Sequence, residues 1–269
     1  MRVTTLQNNN KAFIGDNVDV SGAKIEFKGG GNVLFLEGNI NLGSSEIKFE
    51  GSNSIVFLRS SQYLYNIDVT IYNDSAFYMG LNCSPNTEPR PIAKLEVLLS
   101  EQKHVFIGND FMPSFNVFIR NSDAHLIYST KNFKRRSPTK SVFIGDHVWI
   151  GQNVLILKGT QISSGSIIGA HSVVANKKIK CNSIWGGNPA RLISKDAFWT
   201  RDCQHSYREE QTQHFAEMKT DEFTFKYEPE VYVSFDDIDK QLTLCKMAEE
   251  KMNYLIKISN IISKNRFAF

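Results

Sequence analysis

"VFIGDHVWIGQNVLILKGTQISSGSIIGAHSVV", residues 142–174, places an aliphatic residue at every sixth position: Ile144, Ile150, Ile156, Ile162, Ile168 and Val174. Four residues after each of the first five stands a small or β-branched residue, namely Val148, Val154, Thr160, Ser166 and Ser172. Gly145, Gly151 and Gly169 directly follow three of the aliphatics. A period of six is neither the 3.6 of a helix nor the 2 of a simple strand. It suits short flat strands joined at tight corners, with branched side chains stacked inward coil upon coil and small residues relieving the bends.

Continued backwards, the ladder passes through Ile119, Pro113 and Ile107, but the step from Ile119 to Ile144 exceeds the expected six by 19. The excess forms an excursion at 120–140, "RNSDAHLIYSTKNFKRRSPTK". Irregular insertions of this size in a regular scaffold are usually functional. Its histidine, His125, is followed by five basic residues (Lys131, Lys134, Arg135, Arg136, Lys140) and no acidic one.

The first half repeats more loosely, at offsets of 22 residues: "KIEFKGGGNVLFLEG" (24–38), "EIKFEGSNSIVFLRS" (46–60) and "DVTIYNDSAFYMG" (68–80). Ile25, Ile47 and Val69 align, as do Phe27, Phe49 and Ile71, then Val33, Ile55 and Phe77. The alternation is that of half-buried strands, with Gly, Ser and Asn as turn residues. A fourth copy, "LEVLLSEQKHVFIGND", follows the Pro-rich insertion "NCSPNTEPRP". The expected fold is therefore an all-β solenoid of parallel strands over residues 1–194, with a protruding loop at 120–140. From residue 195 the composition turns charged and aromatic, and "DDIDKQLTLCKMAEEKMNYLIKISNIISKN" reads as one helix of about 25 to 30 residues. Residues 195–269 are thus expected to form a largely helical extension. Leu244, Ala248, Leu255, Ile258 and Ile262 make a seam interrupted by Lys251, better suited to burial against the solenoid than to a coiled coil.

Composition narrows the function classes. With 31 Lys and Arg against 28 Asp and Glu, the net charge of +3 gives no general nucleic-acid affinity, so any basic surface must be local. The four cysteines are widely spaced, without a Cys-x-x-Cys pair, which argues against a disulfide framework and a zinc site. No uninterrupted apolar run is long enough to cross a bilayer, and the polar start "MRVTTLQNNNK" has no signal-peptide character. The reading is a soluble, cytoplasmic protein without stable membrane insertion.

The ladder together with its exit "GGNPARLI" (186–193) resembles the hexapeptide-repeat acyltransferases. The resemblance implies a left-handed parallel β-helix, a homotrimer and acetyl-CoA bound between neighbouring subunits; general crossover rules would have favoured the opposite hand. Within that family, "FIRNSDAHLIYS", a basic loop and "DHVWIGQNVLILKG", with the spacing they set between His125 and Trp149, look most like bacterial sialic acid and polysialic acid capsule O-acetyltransferases. The implied activity is acetyl transfer from acetyl-CoA to a sugar hydroxyl of a surface polysaccharide. Two other readings stand beside it: an N-acetyltransferase of a nucleotide-linked amino sugar, and a non-catalytic β-helix binding module.

A sugar hydroxyl is a poor nucleophile near neutral pH and needs a base; histidine, ordinarily titrating at ~6.5, suits that task. His125 is the candidate base, with Asp123 a candidate to orient its ring. The resemblance implies that Trp149 donates its indole N–H to the developing oxyanion or positions the thioester. It also assigns Gly169 and Ala170 to the pantetheine arm and Gly151 to CoA binding, and positive charge at Lys177, Lys178 and Arg191 suits the CoA phosphates. Asp123, Tyr128, Lys134, Arg135 and Arg136 are the expected acceptor-binding residues, their basic members drawing in an acidic glycan. His147 and His171 repeat the spacing of His125 and Trp149, but a third histidine placed to complete a ligand set is missing, so no metal site is expected.

Overall fold

The computed structural model describes residues 1–85 and 94–269; most of the Pro-rich insertion, 86–93, lies outside them. Strands run from Arg2 to Ser194 and are almost all parallel, wound into three walls. One wall has nine strands, among them Val33–Leu36, Ile55–Leu58, Ala76–Met79, Val105–Ile107 and Val142–Ile144. A second wall has five, including Met112–Pro113, Trp149–Ile150 and Ile167–Ile168, and a third has seven, including Phe118–Arg120 and Leu155–Leu157.

Register explains the sixfold ladder. Ile144 pairs with Ile162, Ile150 with Ile168 and Ile156 with Val174. Three steps of six complete one turn, so each ladder residue lies beneath its equivalent on the same wall. All six are fully buried. Across the excursion, Ile107 pairs with Ile144, Pro113 with Ile150 and Ile119 with Ile156, a register that exceeds one turn by 19. The loop therefore leaves and re-enters without disturbing the stack.

The 22-residue repeat holds on the third wall, where Ile25, Ile47 and Val69 are successive partners and Phe27 stacks on Phe49 at 4.5 Å. On the first wall it corrects the expected alignment. Val33 pairs with Ile55, but Ile55 pairs with Ala76 and Val56 with Phe77. The turn "YNDS" (72–75) is one residue shorter than "EGSNS" (50–54). A slip of one residue exchanges the two faces of a strand. Phe77 accordingly points into the solenoid with Leu34 and Val56, while Ala76 and Tyr78 face outward with Val33, Ile55 and Phe57.

That outward face is not half-exposed as the alternation suggested. Phe13, Phe35, Phe57, Tyr78, Phe106 and Phe143 form a continuous aromatic column, with neighbouring centroids 4.2 to 6.3 Å apart. The C-terminal segment covers it. Helices α1 (Glu209–His214), α2 (Phe235–Leu244) and α3 (Ala248–Ser259) follow the strands, and Phe235, Ile238, Leu242, Met252, Leu255 and Ile258 pack on the column. Strands buried on both faces read as unbroken apolar runs such as "VLFL" and "IVFL".

The single long helix expected at 236–265 is two helices. Ser234 caps α2 by accepting from the Asp237 N–H, and Cys245 turns extended (φ −66°, ψ 123°). Glu250 then accepts from the N–H groups of Lys246 (2.6 Å) and Met247 (3.2 Å), starting α3 afresh. Lys251, the residue that interrupts the apolar seam, is 1% exposed and donates to the carbonyls of Asn53 (3.3 Å) and Cys245 (3.1 Å). Burial pushes its ammonium pKa down. Ala248, Leu255 and Ile258 are buried as the seam requires, whereas Leu244 and Ile262 are exposed.

The final residues are also built in. Arg266 forks onto both oxygens of Asp146 at 2.8 Å, and the Phe267 carbonyl accepts from Ser164 N–H and the Ser163 hydroxyl. Removing one partner of such a buried pair strands the other charge. Arg266→Ala should therefore cost about 3–5 kcal/mol in denaturant unfolding, and Asp146→Asn combined with Arg266→Met should recover most of it.

His104 is buried at the edge of the aromatic column. Its Nδ1 accepts from the Ala76 N–H at 3.2 Å, and burial pushes its pKa down to about 3. Because the folded value lies below that of the unfolded chain, the stabilisation is complete above pH ~6.5 and is lost as pH falls, by up to about 1.4 kcal/mol per pH unit. His104→Asn keeps an acceptor for Ala76; its stability-versus-pH curve between pH 6.5 and 4 should be shallower than that of the unaltered chain by about one proton.

Candidate functional site

The excursion is a short hairpin. Tyr128 and Arg135 form an antiparallel bridge, the Ser129 N–H donates to the Lys134 carbonyl (2.9 Å), and the Arg136 N–H donates to the Ile127 carbonyl (2.8 Å). His125, Leu126, Ile127, Tyr128 and Phe133 are all exposed, Phe133 by 82%. The base of the hairpin is pinned at both ends. Lys158, on the turn beyond the neighbouring third-wall strand, donates to Asp123 and to the Ser137 hydroxyl (2.6 Å) and carbonyl (3.1 Å). From the coil before, Glu101 accepts both arms of the Arg135 fork at 2.9 and 2.7 Å as well as the Thr139 hydroxyl.

These contacts alter two expectations. The Asp123 carboxylate is turned to Lys158 and Ser137, which hold its pKa below the usual carboxylate value, and among the described residues it makes no hydrogen bond to His125. Arg135 is neutralised by Glu101, whose own pKa is lowered first by that guanidinium and then by Thr139. Lys140 donates to the Asn176 side chain. Lys131, Lys134 and Arg136 make no ion pair among the described residues; with Arg135 they line an open hollow of about 440 Å³.

Trp149 stands at a second-wall corner, 38% exposed, although its neighbours Val148 and Ile150 are fully buried. His147, two residues earlier, is sandwiched between Trp199 (centroids 4.1 Å apart, planes at 7°) and Phe223 (4.9 Å). It exchanges hydrogen bonds with Trp199, ring nitrogen to carbonyl at 3.0 Å and indole N–H to carbonyl at 3.1 Å. Burial lowers its pKa against the opposing pull of the Trp199 carbonyl. Trp199 also lies 6.2 Å from Trp149, so the segment after the solenoid braces this corner. In one chain His125 and Trp149 project from different walls, and no hydrogen bond or ring contact joins them among the described residues.

Of the expected CoA residues, Gly151, Gly169, Ala170 and Arg191 share the second wall or its edge. The Gly151 N–H donates to the Ile168 carbonyl, and a Cβ on the buried Gly151 would lie 2.5 Å from the Ala170 nitrogen, so the two coils are close-packed here. Arg191 is exposed in the terminal antiparallel strand Arg191–Ser194. Lys177 and Lys178 belong to the next turn, where the chain enters the first wall, and the Lys178 ammonium pairs with Asp236 of α2 at 3.2 Å. His171 meets the Asn153 side chain at 3.1 Å. Sequence reading missed Glu101, Lys158, Trp199 and Arg201, none of which occupies a ladder position; the aromatic cluster "DAFWTRDC" (196–203) was the only signal for the last two.

Anchoring makes the hairpin testable apart from chemistry. Lys158→Met should leave global stability nearly unchanged and raise amide hydrogen exchange between residues 123 and 138 several-fold, because its three polar contacts close the base of the loop.

Comparison with known proteins gives a consistent set of likenesses. Residues 141–176 match the family model "Bacterial transferase hexapeptide (six repeats)". A polysialic acid O-acetyltransferase of Neisseria meningitidis is 29% identical over 212 residues, covering 76% of this chain and 82% of that protein. Another, from Escherichia coli O1:K1 / APEC, is 38% identical over 104 residues, which is 39% of this chain and 34% of the relative. Among solved structures, the polySia-specific acetyltransferase NeuO superposes with a TM-score of 0.64 at 27% identity, over 78% of this chain and 87% of that one. The polysialic acid O-acetyltransferase OatWY gives a TM-score of 0.56 at 24% identity, over 76% of this chain and 98% of that one, a likeness of fold.

Proposed function

We propose that this chain, which carries the bacterial transferase hexapeptide repeat at residues 141–176, transfers an acetyl group from acetyl-CoA to a hydroxyl of a sialic acid polymer in a bacterial surface glycan. The observation that carries the reading is the alignment with a polysialic acid O-acetyltransferase across 82% of that relative's length. The hairpin supports it. Lys131, Lys134 and Arg136, free of carboxylate partners among the described residues, provide a local cationic surface on a chain of net charge only +3. Such a surface attracts a polyanion and is screened by salt.

In this mechanism neutral His125 takes the proton of the sugar hydroxyl as its oxygen attacks the thioester carbonyl, and afterwards gives a proton to the departing CoA thiolate. Trp149 donates its indole N–H toward the oxyanion that develops. Ala170 is exposed and Gly169 half-buried, which suits a pantetheine arm lying along the second wall with Arg191 near a phosphate, whereas Gly151 is buried and serves by letting the Ala170 coil approach. Lys177 suits the CoA phosphates as it stands, and Lys178 does so once it releases Asp236. Because His125 and Trp149 sit on different walls, the working site combines the hairpin of one copy with the corner of another, in a homotrimer of left-handed helices. The exposed Leu126, Ile127, Tyr128 and Phe133 suit that packing, since apolar loop tips of this size favour a protein partner. Residues 1–194 then act as the acyltransferase unit and 195–269 as its buttress, in the cytoplasm where acetyl-CoA is available.

His125→Ala should lower kcat on sialic acid oligomers by about 10²–10⁴-fold while leaving CoA binding by isothermal titration unchanged. A fully active His125→Ala enzyme removes the base assignment, and failure of the unaltered chain to bind CoA removes the enzymatic reading. Replacing Lys131, Lys134 and Arg136 with Gln should raise the acceptor KM and flatten its dependence on salt; a KM that does not move means that the hairpin does not meet the acceptor.

A further inference from the structure

Beside Trp149 lies a second hollow, of about 300 Å³, with a different chemistry from the hairpin. Tyr63, Met112, Phe115 and Trp149 supply its apolar walls, Ser84 and Ser114 its hydroxyls, and Arg201 its charge. No carboxylate lines it among the described residues.

Arg201 comes from the segment after the solenoid, just past the Trp199 that braces the Trp149 corner. Its guanidinium centre lies 4.9 Å from the Tyr63 ring and 5.8 Å from Trp199. Nη1 donates to the Ser84 hydroxyl at 2.7 Å; Nη2 donates to the carbonyls of Asn82 (3.3 Å) and Asp110 (3.1 Å). Those are three of the five N–H groups a guanidinium carries, so Nε–H and one Nη1–H have no partner among the described residues. The nearby Asp110 carboxylate is taken by the Asn82 amide (2.9 Å) and lines the neighbouring hollow with His147 instead. Arg201 is thus a fixed, partly buried cation, held by neutral groups and by aromatic rings and lacking a counter-ion among the described residues.

Aromatic walls, two hydroxyls and one such cation fit a ligand with an apolar ring face, hydroxyl groups and a single negative charge. An acidic sugar residue has that chemistry. We propose that this hollow binds one carboxylate-bearing sugar of the acceptor, with Arg201 as the counter-ion of the carboxylate and a determinant of specificity for acidic over neutral glycans. The identity of the sugar rests on the acetyl-transfer reading above; the anion site itself does not.

The test compares sialic acid oligomers with the same oligomers after reduction of every carboxylate to a primary alcohol. Arg201→Gln should raise KM for the acidic oligomer by about 10- to 100-fold, the loss of one charge-assisted hydrogen bond, and leave KM for acetyl-CoA unchanged. For the reduced oligomer, the unaltered chain and Arg201→Gln should be equally poor. Arg201→Lys, which keeps the charge, should recover part of the loss. A rise in the acetyl-CoA KM instead would assign the anion to a CoA phosphate and overturn the proposal, as would equal weakening of acidic and reduced acceptors. If the unaltered chain transfers acetyl to neither oligomer, the acetyl-transfer reading fails separately. Calorimetric binding of the acidic oligomer, lost in Arg201→Gln, would then sustain the site; absent or unchanged binding would end it.

Discussion

Every other feature depends on in-register stacking of parallel coils. Each turn hydrogen-bonds to the turns above and below, so a residue can be exchanged only for one that fits the same column. Ile144 over Ile162 and Ile150 over Ile168 are instances of that rule. Its strictness makes the hairpin possible. A stack indifferent to what lies outside its walls accepts a long insertion between Ile119 and Ile144 at little cost, since the register is resumed on both sides. A larger loop adds only slowly to the entropy of closure.

The second constraint is that stacking leaves one wall too apolar to face water. The column from Phe13 to Phe143 is the outer face of that wall, and α2 and α3 cover it. The same tail carries Trp199 and Arg201 to the corner where Trp149 is exposed, then ends with Arg266 against Asp146 and Phe267 in the core. One C-terminal segment thus both covers the wall and shapes the corner.

The ladder was legible because its periodicity depends on local chain geometry alone, and it predicted both the walls and the size of the excursion. What the sequence hid arises from long-range partners. The helical cover was read correctly as amphipathic, but its break at Cys245 follows from Glu250 capping a new helix and Lys251 reaching Asn53, contacts a periodicity cannot contain. The one-residue slip at Ala76 came from a shortened turn, and offsets averaged over a repeat conceal such slips. Charges were hardest to read. Arg135 and Lys178 pass for free cations because Glu101 and Asp236 lie 34 and 58 residues away in sequence. His125 and Trp149 could be singled out, whereas their separation onto different walls of one chain became visible only in three dimensions.

These pairings also redistribute the electrostatics of the candidate site. Once Arg135 and Lys178 are set aside as paired, two separate positive places stand out: the hairpin residues Lys131, Lys134 and Arg136, and the single fixed guanidinium of Arg201. They differ in kind. The hairpin charges are exposed on long side chains, so their field reaches over a Debye length and would concentrate a polyanion without reading its structure. Arg201 is held by Ser84, Asn82 and Asp110 and faces aromatic walls, so it distinguishes one ring from another only at contact distance. Under the proposed function a polymeric acidic acceptor would use both, attracted along its length and recognised at one residue. A small neutral sugar would use neither, and the chain would then carry two cationic features with no ligand to meet them.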